Sequence, residues 1–462
     1  MGKPVLTGET EIEREYLSRT EKSRILDETA CLYLPGGSTR STTDTRPYPI
    51  YMEMGRGCFL ADVDGNEYID FMNNFTVLIL GHAHPRVNNA ISKQMEKGVI
   101  LGAPSQSQYE LAQCLCERVD SVDRIRFCNT GTEAVMFALR AARSITGRNK
   151  VVKMEGGFHG TTEQMEISVS PDLSQAGPAD APVPLPDTGG ISPGVLQDVL
   201  IAPFNNIEAT ERIIRGNREE IAAVIIEPVM GAAGMIPAQR SFLEFLREIT
   251  DQYEIILIFD EIISFRLATG GAQQLYGVRP DLTTFGKIIG GGLPIGAFGG
   301  REDIMDIFSP KRENPLHHSG TFNGNALTMA AGLAAMEEVQ ESLISGINQT
   351  GDRLRTGIEE IMHRKGIKGQ LTGVGSLMNL HLSTRPVTDV RTARADRDST
   401  LPINDLLCLA LRNRGIYTPA RIMLCISSPM TGKEIHRALE AFDDSLDQLR
   451  PLIEKSCPEL LY

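Results

Sequence analysis

Four short stretches of this chain of 462 residues combine residue types whose chemistries are complementary. The first is Asn129-Thr130-Gly131-Thr132-Glu133, between an expected strand and an expected helix. Gly131 lets the backbone approach an anion closely. The hydroxyls of Thr130 and Thr132, with the first free N–H groups of the helix, can cradle a phosphate; a plain helix N-cap would use the same residues. The second is Gly156-Gly157-Phe158-His159-Gly160. Freed by its flanking glycines, Phe158 can stack on a flat heterocycle or cap the core, and His159 suits a hydrogen-bonded structural role equally well.

The third stretch, Ile256-Leu257-Ile258-Phe259-Asp260-Glu261, is an apolar strand that ends in two carboxylates. Desolvation makes the charge on Asp260 costly, so it needs a partner. A protonated ring nitrogen would serve, and the carboxylate would in turn keep that nitrogen protonated. The competing reading is an Asp that caps the next turn. The fourth, Thr283 to Gly292, sets Lys287 after an apolar run and before three glycines. Apolar surroundings lower a lysine's pKa and free the amine to form an imine. The stretch is no P-loop, because Ile288 stands where Ser or Thr is needed.

Each signal is modest alone. They occur in chain order at the ends of successive expected strands, and they would satisfy different parts of one bound group. The elements that must position them also follow from pattern. Ile125–Cys128, Val151–Met154, Ala222–Ile226 and Ile255–Phe259 read as buried strands, and Glu133–Ile145 and Arg240–Tyr253 as amphipathic helices. Strands alternating with helices imply a mostly parallel sheet covered on both faces, with ligands beyond the strands' carboxyl ends.

Toward the N-terminus, residues 8–32 have the charge and periodicity of a helix, and Leu34 to Ser38 break it with turn residues. Cys58–Val63 and Glu67–Phe71 read as strands of a hairpin turned at Asp64-Gly65-Asn66. Residues 168–196 and 384–402 read as long surface loops. Residues 331–462 mix helices with short strands such as Leu377–Leu382 and Met423–Ser427. The expected division is 1–79, an N-terminal helix and hairpin; 80–330, a large ligand-binding domain; and 331–462, a smaller α+β domain that the hairpin helps to complete.

Composition bounds the function. Hydrophobic residues at 41% and charged residues at 23% are ordinary for a globular chain, and the net charge of −13 argues against nucleic-acid or anionic-membrane partners. The N-terminal residues lack a signal-peptide core and a myristoylation Ser/Thr, and no stretch has the length of a transmembrane helix, so a cytoplasmic location is expected. The eight cysteines include no C-x-x-C pair, which points to reduced core thiols and not to disulfides or zinc.

The chain resembles the fold-type I, class III aminotransferases, on the branch that holds glutamate-1-semialdehyde aminomutase and the β-amino-acid (β-phenylalanine-type) aminotransferases. The motifs run through most of its length: LPGGSTR (34–40), DVDGNEYIDF (62–71), LGHAHP (80–85), NTGTEAVMFALRAAR (129–143), GGFHG (156–160), IIEPVMG (225–231), DEIISFR (260–266), GAQQLYGVRPDLTTFGKIIGGGLPIGAFGG (271–300) and SGTFNGN (319–325). The resemblance implies an α/β fold and pyridoxal 5′-phosphate (PLP), carried by Lys287 as a Schiff base. Lys287 would also move the substrate proton. Asp260 would pair with the pyridinium nitrogen, Phe158 and Ile262 would cover the two ring faces, and His159 and Glu227 would lie near the ring. Gly131 and Thr132, with Thr130 close by, would bind the phosphate. Thr321 would reach it from a neighbouring subunit, which implies a homodimer. His82 and His84 then belong to a structural turn and not to a metal site, and His317-His318 to packing or an interface.

Substrate specificity would lie elsewhere. Arg40 resembles the N-terminal arginine of the β-amino-acid group and suits a bidentate carboxylate clamp; Arg421 is a second candidate, with surface or structural use as its alternative. Phe75 stands where the compared mutases carry Trp, Thr161-Thr162-Glu163 differs from their pattern, and DEIISFR is one residue shorter than DEVxTGFR. The reading is a ping-pong aminotransferase acting between a small-molecule amino donor, a β-amino acid favoured, and a keto acid. An aminomutase, racemase or epimerase built on the same residues is the alternative, and a non-catalytic scaffold of the same fold is a third reading.

Overall fold

The computed structural model describes residues 10–395 and 397–462, without the side chains of 397–399. Its centre is a sheet of seven strands: β1 Arg124–Cys128, β2 Lys150–Met154, β3 Val199–Ala202, β4 Ile221–Ile226, β5 Ile256–Asp260, β6 Leu282–Gly286 and β7 Gly296–Gly300. The spatial order is β1-β7-β6-β5-β4-β2-β3. All neighbours pair in parallel except β7, which is antiparallel to both β1 and β6.

The apolar runs form strands because both faces of the sheet are covered. Ala223, Ile225 and Ile258 point to one side and pack with Ala134, Val135 and Ala138 of the helix Gly131–Thr146. Val224, Ile226 and Leu257 point to the other and pack with Phe242, Leu243 and Leu246 of the helix Arg240–Gln252. This is the two-residue alternation of a pleated strand with apolar residues at both phases. Leu246 is wholly buried, so its truncation to Ala would cost about 2–5 kcal/mol. The consequence for function is alignment: β1, β2, β4, β5 and β6 all end at the same edge, immediately before Asn129, Glu155, Glu227, Glu261 and Lys287.

The terminal segments pack together. Strands Phe59–Asp62 and Glu67–Asp70 form the expected hairpin, with Gly65 at φ +93° in its turn, and Met52–Arg56 adds a third antiparallel strand. Ile416–Tyr417 then pairs in parallel with Ile69–Asp70, so the C-terminal segment completes the hairpin's sheet. A second sheet joins Gln370–Val374, Leu377–His381 and Met423–Cys425, and the helices Glu341–Arg364, Arg397–Asn413 and Gly432–Ser456 share their core with Ile12 and Tyr16. Among the described residues no helix is long and apolar enough to cross a membrane.

Several expectations need correction. The single helix over 8–32 is two, Glu11–Arg19 and Glu21–Ala30, broken where Thr20 leaves helical geometry and its hydroxyl bonds back to Tyr16 O at 2.7 Å; residues 8 and 9 lie outside the described residues. Residues 384–402 are not one loop. They contain the helix Val390–Ala395 and the start of Arg397–Asn413, because Arg391 and Val390 dock on the large sheet's edge. Arg391 makes a two-pronged ion pair with Glu155 (2.7 and 2.9 Å), and Val390 fills the space beside Gly156. The loop expected over 168–196 is irregular up to Val195. The cysteines are all free, but Cys31 is exposed and Cys114 and Cys116 are only half-buried, so five of the eight are core thiols.

Candidate active site

The strand ends bring the four chemical stretches into contact. Ile262, just past β5, is the hub. A Cβ on Gly131 would lie 2.6 Å from Ile262 Cδ1, and one on Gly286 would lie 3.5 Å from Ile262 Cγ2. The threonine loop, the carboxylate strand and the lysine strand therefore meet around one side chain. The Phe158 loop closes the ring: a Cβ on Gly160 would sit 2.5 Å from Thr132 Oγ1. Glycine is required at 160, where φ is +87° and a Cβ would meet the Thr132 backbone at 2.7 Å; at 131 a side chain would have to displace the Ile262 methyl.

The threonine loop keeps part of its simpler role. Thr130 is the N-cap of the helix, its Oγ1 accepting the Glu133 N–H at 3.1 Å, and Glu133 Oε2 accepts the Asn129 N–H at 2.7 Å. The Thr130 hydroxyl still has its proton to donate, and the positive end of a helix of 16 residues points at this loop. Thr132 Oγ1 accepts the Thr161 N–H at 3.3 Å. Beneath the loop, Gly296 of β7 runs so close to Thr130 O that a Cβ would overlap it.

Asp260 is buried. One oxygen accepts the Ile262 N–H at 3.2 Å, and the other lies 2.8 Å from His159 Nδ1. Burial pushes the His159 pKa down, so the ring is neutral and donates from Nδ1 to the carboxylate. His159 Nε2 is buried with no partner. Glu227 is buried too. Its Oε2 accepts the Phe158 N–H at 2.8 Å and its Oε1 the Gly231 N–H at 3.1 Å. Burial, and then the charge of Asp260, push its carboxyl up to about 8. Phe158 is 41% exposed, available to a flat ligand.

Lys287 follows β6 in left-handed backbone geometry at φ +50°. That conformation costs a residue with a Cβ about 1–2 kcal/mol, and such strain persists where surrounding structure enforces it, often at functional sites. Burial pushes its amine down to about 8, against the pull of Asp260 and Glu227, and the charges of Arg421 and Arg40 press the same way. Lys153 is likewise held near 8 by burial; its Nζ donates to Met165 O at 3.1 Å, which braces the segment after the Phe158 loop.

The three specificity candidates also come together. Arg40 stands 5.2 Å and Arg421 5.6 Å from the centre of the Phe75 ring. Thr321 does not join the cluster around Ile262. It is exposed and lines a groove of about 720 Å³ with Ile100, Tyr109, Arg126, His318 and Phe322. His318 packs edge-on against Phe137, Phe298 and Phe308, accepts from Arg126 Nε at 3.0 Å, and is pushed down to about 4 by burial. His82 Nε2 lies 2.8 Å from Asp70 Oδ2 and so ties the hairpin to the LGHAHP turn. Sequence reasoning missed Asn74, which bonds Arg40, and the buried Asp70 and Arg266, which hold its turn. The Asn73-Asn74 pair was the one available signal, since Asn tolerates left-handed backbone.

A family model, Aminotransferase class-III, matches residues 41–446. Glutamate-1-semialdehyde 2,1-aminomutase 2 of Brevibacillus brevis is 40% identical over 428 residues, which cover 91% of this chain and 97% of that protein. The solved ω-transaminase from Sphaerobacter thermophilus superposes with a TM-score of 0.89 at 43% identity, over 93% of this chain and 98% of its own. The β-phenylalanine aminotransferase from Variovorax paradoxus gives 0.86 at 34%, over 96% and 98%. A transaminase solved with PLP bound also gives 0.86 at 34%, over 94% and 99%.

Proposed function

This chain belongs to the class-III aminotransferase family, and we propose that it moves an amino group from an amino acid, a β-amino acid in first place, to a keto acid. It is a fold-type I enzyme of small-molecule substrates whose cofactor is PLP. When bound, PLP supplies an aldehyde that condenses with amines and a ring that accepts electrons.

The residues fit that group. A glycine-lined cradle at the positive end of a helix suits its phosphate, with Gly131 and Thr132 as ligands and Thr130 donating its free hydroxyl proton. Asp260 Oδ1 and Oδ2 form a buried anion for the ring nitrogen, held in place by the Ile262 N–H and by His159 Nδ1. Phe158 and Ile262 would flank the ring, and Glu227 fixes the Phe158 loop through its backbone N–H. Lys287 would carry the cofactor. Its Nζ would take the proton from the donor carbon that bears the amine, pass it to the cofactor, and in the second half of the cycle carry a proton to the carbon of the keto acid, a task suited to an amine held near 8.

One observation supports the transfer reading: Arg40 and Arg421 both stand against the Phe75 ring, and both charges reach Lys287. A guanidinium at Arg40 suits an acid substrate, and Arg421, which also bonds Ala232 O at 3.4 Å and Met423 Sδ at 3.5 Å, adds positive charge beside it. Assembly as a homodimer is part of the reading, with Thr321 completing the phosphate site of a neighbouring subunit.

The second reading is an intramolecular 2,1-aminomutase. By name, the curated relatives favour it over transfer. Phe75 and the short DEIISFR segment weigh the other way. Purified holoenzyme given a β-amino acid should consume one keto acid for each amine removed. Turnover of glutamate-1-semialdehyde with no keto acid consumed would establish the mutase instead.

A further inference from the structure

Four consecutive residues with side chains, Asn73, Asn74, Phe75 and Thr76, have φ of 47, 49, 55 and 77°. They make one turn of left-handed helix, which L residues rarely adopt. The surroundings enforce it. Asp70 Oδ1 accepts the N–H groups of Met72 and Asn73 at 3.0 and 2.9 Å, Asn73 Nδ2 donates to Cys425 O at 2.9 Å, and buried Arg266 donates from Nη1 to Thr76 O at 3.3 Å. This turn carries Asn74 and Phe75 to Arg40. Asn74 Oδ1 accepts from Arg40 Nη1 at 2.7 Å, and the Phe75 ring has both Arg40 and Arg421 near its centre, at 5.2 and 5.6 Å.

We propose that Asn74 is a positioning residue that aims Arg40 at the substrate's carboxylate, so that the left-handed turn selects for acids of a particular reach. The inference rests on the reading of Arg40 as the carboxylate clamp. Arg40 sits on an exposed segment, and among the described residues Asn74 is the hydrogen-bond partner of its guanidinium. An amide oxygen fixes the guanidinium without neutralising it. Of its five N–H donors one is engaged, which leaves an adjacent pair for a two-pronged carboxylate bond. A carboxylate at position 74 would hold Arg40 equally well but consume its charge. Asn meets both requirements at this site, since it tolerates left-handed backbone and carries no charge.

The test uses holoenzyme and a matched pair of amines, β-phenylalanine and 1-phenylethylamine, which differ by the carboxylate. Asn74→Gly removes the amide and keeps the turn, because glycine takes positive φ freely. It should raise KM for β-phenylalanine about tenfold, the cost of ordering one freed arginine, with kcat within about twofold and 1-phenylethylamine unaffected. Asn74→Asp should raise that KM further. Equal losses on both amines, or no change on either, would overturn the proposal. Arg40→Ala run in parallel separates the failures. If it raises KM for the acid and Asn74→Gly does not, the positioning role alone is wrong. If it has no effect, or wild type binds the acid no better than the amine, the clamp reading falls and this proposal with it.

Discussion

His159 Nδ1 lies 2.8 Å from Asp260 Oδ2, and both side chains are buried. A neutral imidazole that donates to a carboxylate fixes its direction while leaving its charge in place for a ring nitrogen. Asp260→Asn keeps the shape and removes the charge, so it should lower kcat/KM by at least about a hundredfold. His159→Ala should cost less, about tenfold, because the carboxylate keeps its charge and loses only orientation. Steady-state kinetics on the two holoenzymes would reveal a wrong assignment if His159→Ala proved the more damaging.

Glu227 predicts a pH dependence of stability in the apoprotein. Burial raises its folded pKa to about 8 from the ordinary 4.5. Between those values the folded state binds the extra proton, so its stabilising contribution is complete below about 4.5 and is lost as pH rises through about 8. Thermal melts from pH 5 to 8 should therefore fall less steeply in Glu227→Gln than in wild type. Identical slopes would mean that Glu227 is not protonated in the fold.

A methyl group on Gly131 would lie 2.6 Å from Ile262 Cδ1, so either the Ile262 side chain or the loop must shift to admit it. Gly131→Ala is expected to weaken PLP binding about tenfold or more through displacement of the loop, and Ile262→Val in the same chain should recover part of it. Absorbance titration of apoprotein with PLP checks this; an unchanged dissociation constant would contradict the packing.

Arg391 joins a helix of the C-terminal part to Glu155 at the end of β2, and also donates to Gly177 O at 2.9 Å and Ala176 O at 3.1 Å. Arg391→Ala leaves buried Glu155 unpaired, at a cost of about 3 kcal/mol. The segment 168–196 should then be cut faster by protease than in wild type. Cleavage rates that do not change would show that the pair is not what holds this segment.

Much of this was legible in the sequence where local pattern decides the outcome. The solid apolar runs of β4 and β5 can only be strands covered on both faces, and Lys287, Asp260 and Phe158 stand at strand ends. β7 escaped because Gly-Ala-Phe-Gly-Gly has no strand signature; its glycines answer to Thr130 O and Asp281 O, which lie elsewhere in the chain. The helix Val390–Ala395 escaped because a polar segment gives no sign of Glu155, more than two hundred residues earlier. Asn74 escaped for the same reason, since its meaning depends on Arg40 and on the buried groups that force its turn.

We assign PLP to Lys287, and the structure holds a competitor in Lys153. Burial holds both Lys153 and Lys287 near 8, so low basicity alone does not distinguish them. Lys153 is tied to backbone carbonyls, whereas Lys287 feels the charges of Asp260, Glu227, Arg421 and Arg40. The direct measurement is to load the protein with PLP, reduce it with borohydride so that the bound cofactor becomes fixed to its amine, and map the modified peptide by mass spectrometry. The phosphopyridoxyl group should lie on Lys287 and on no other lysine. Finding it on Lys153, or finding no modification in protein that has bound PLP, would rule out Lys287 as the Schiff-base lysine.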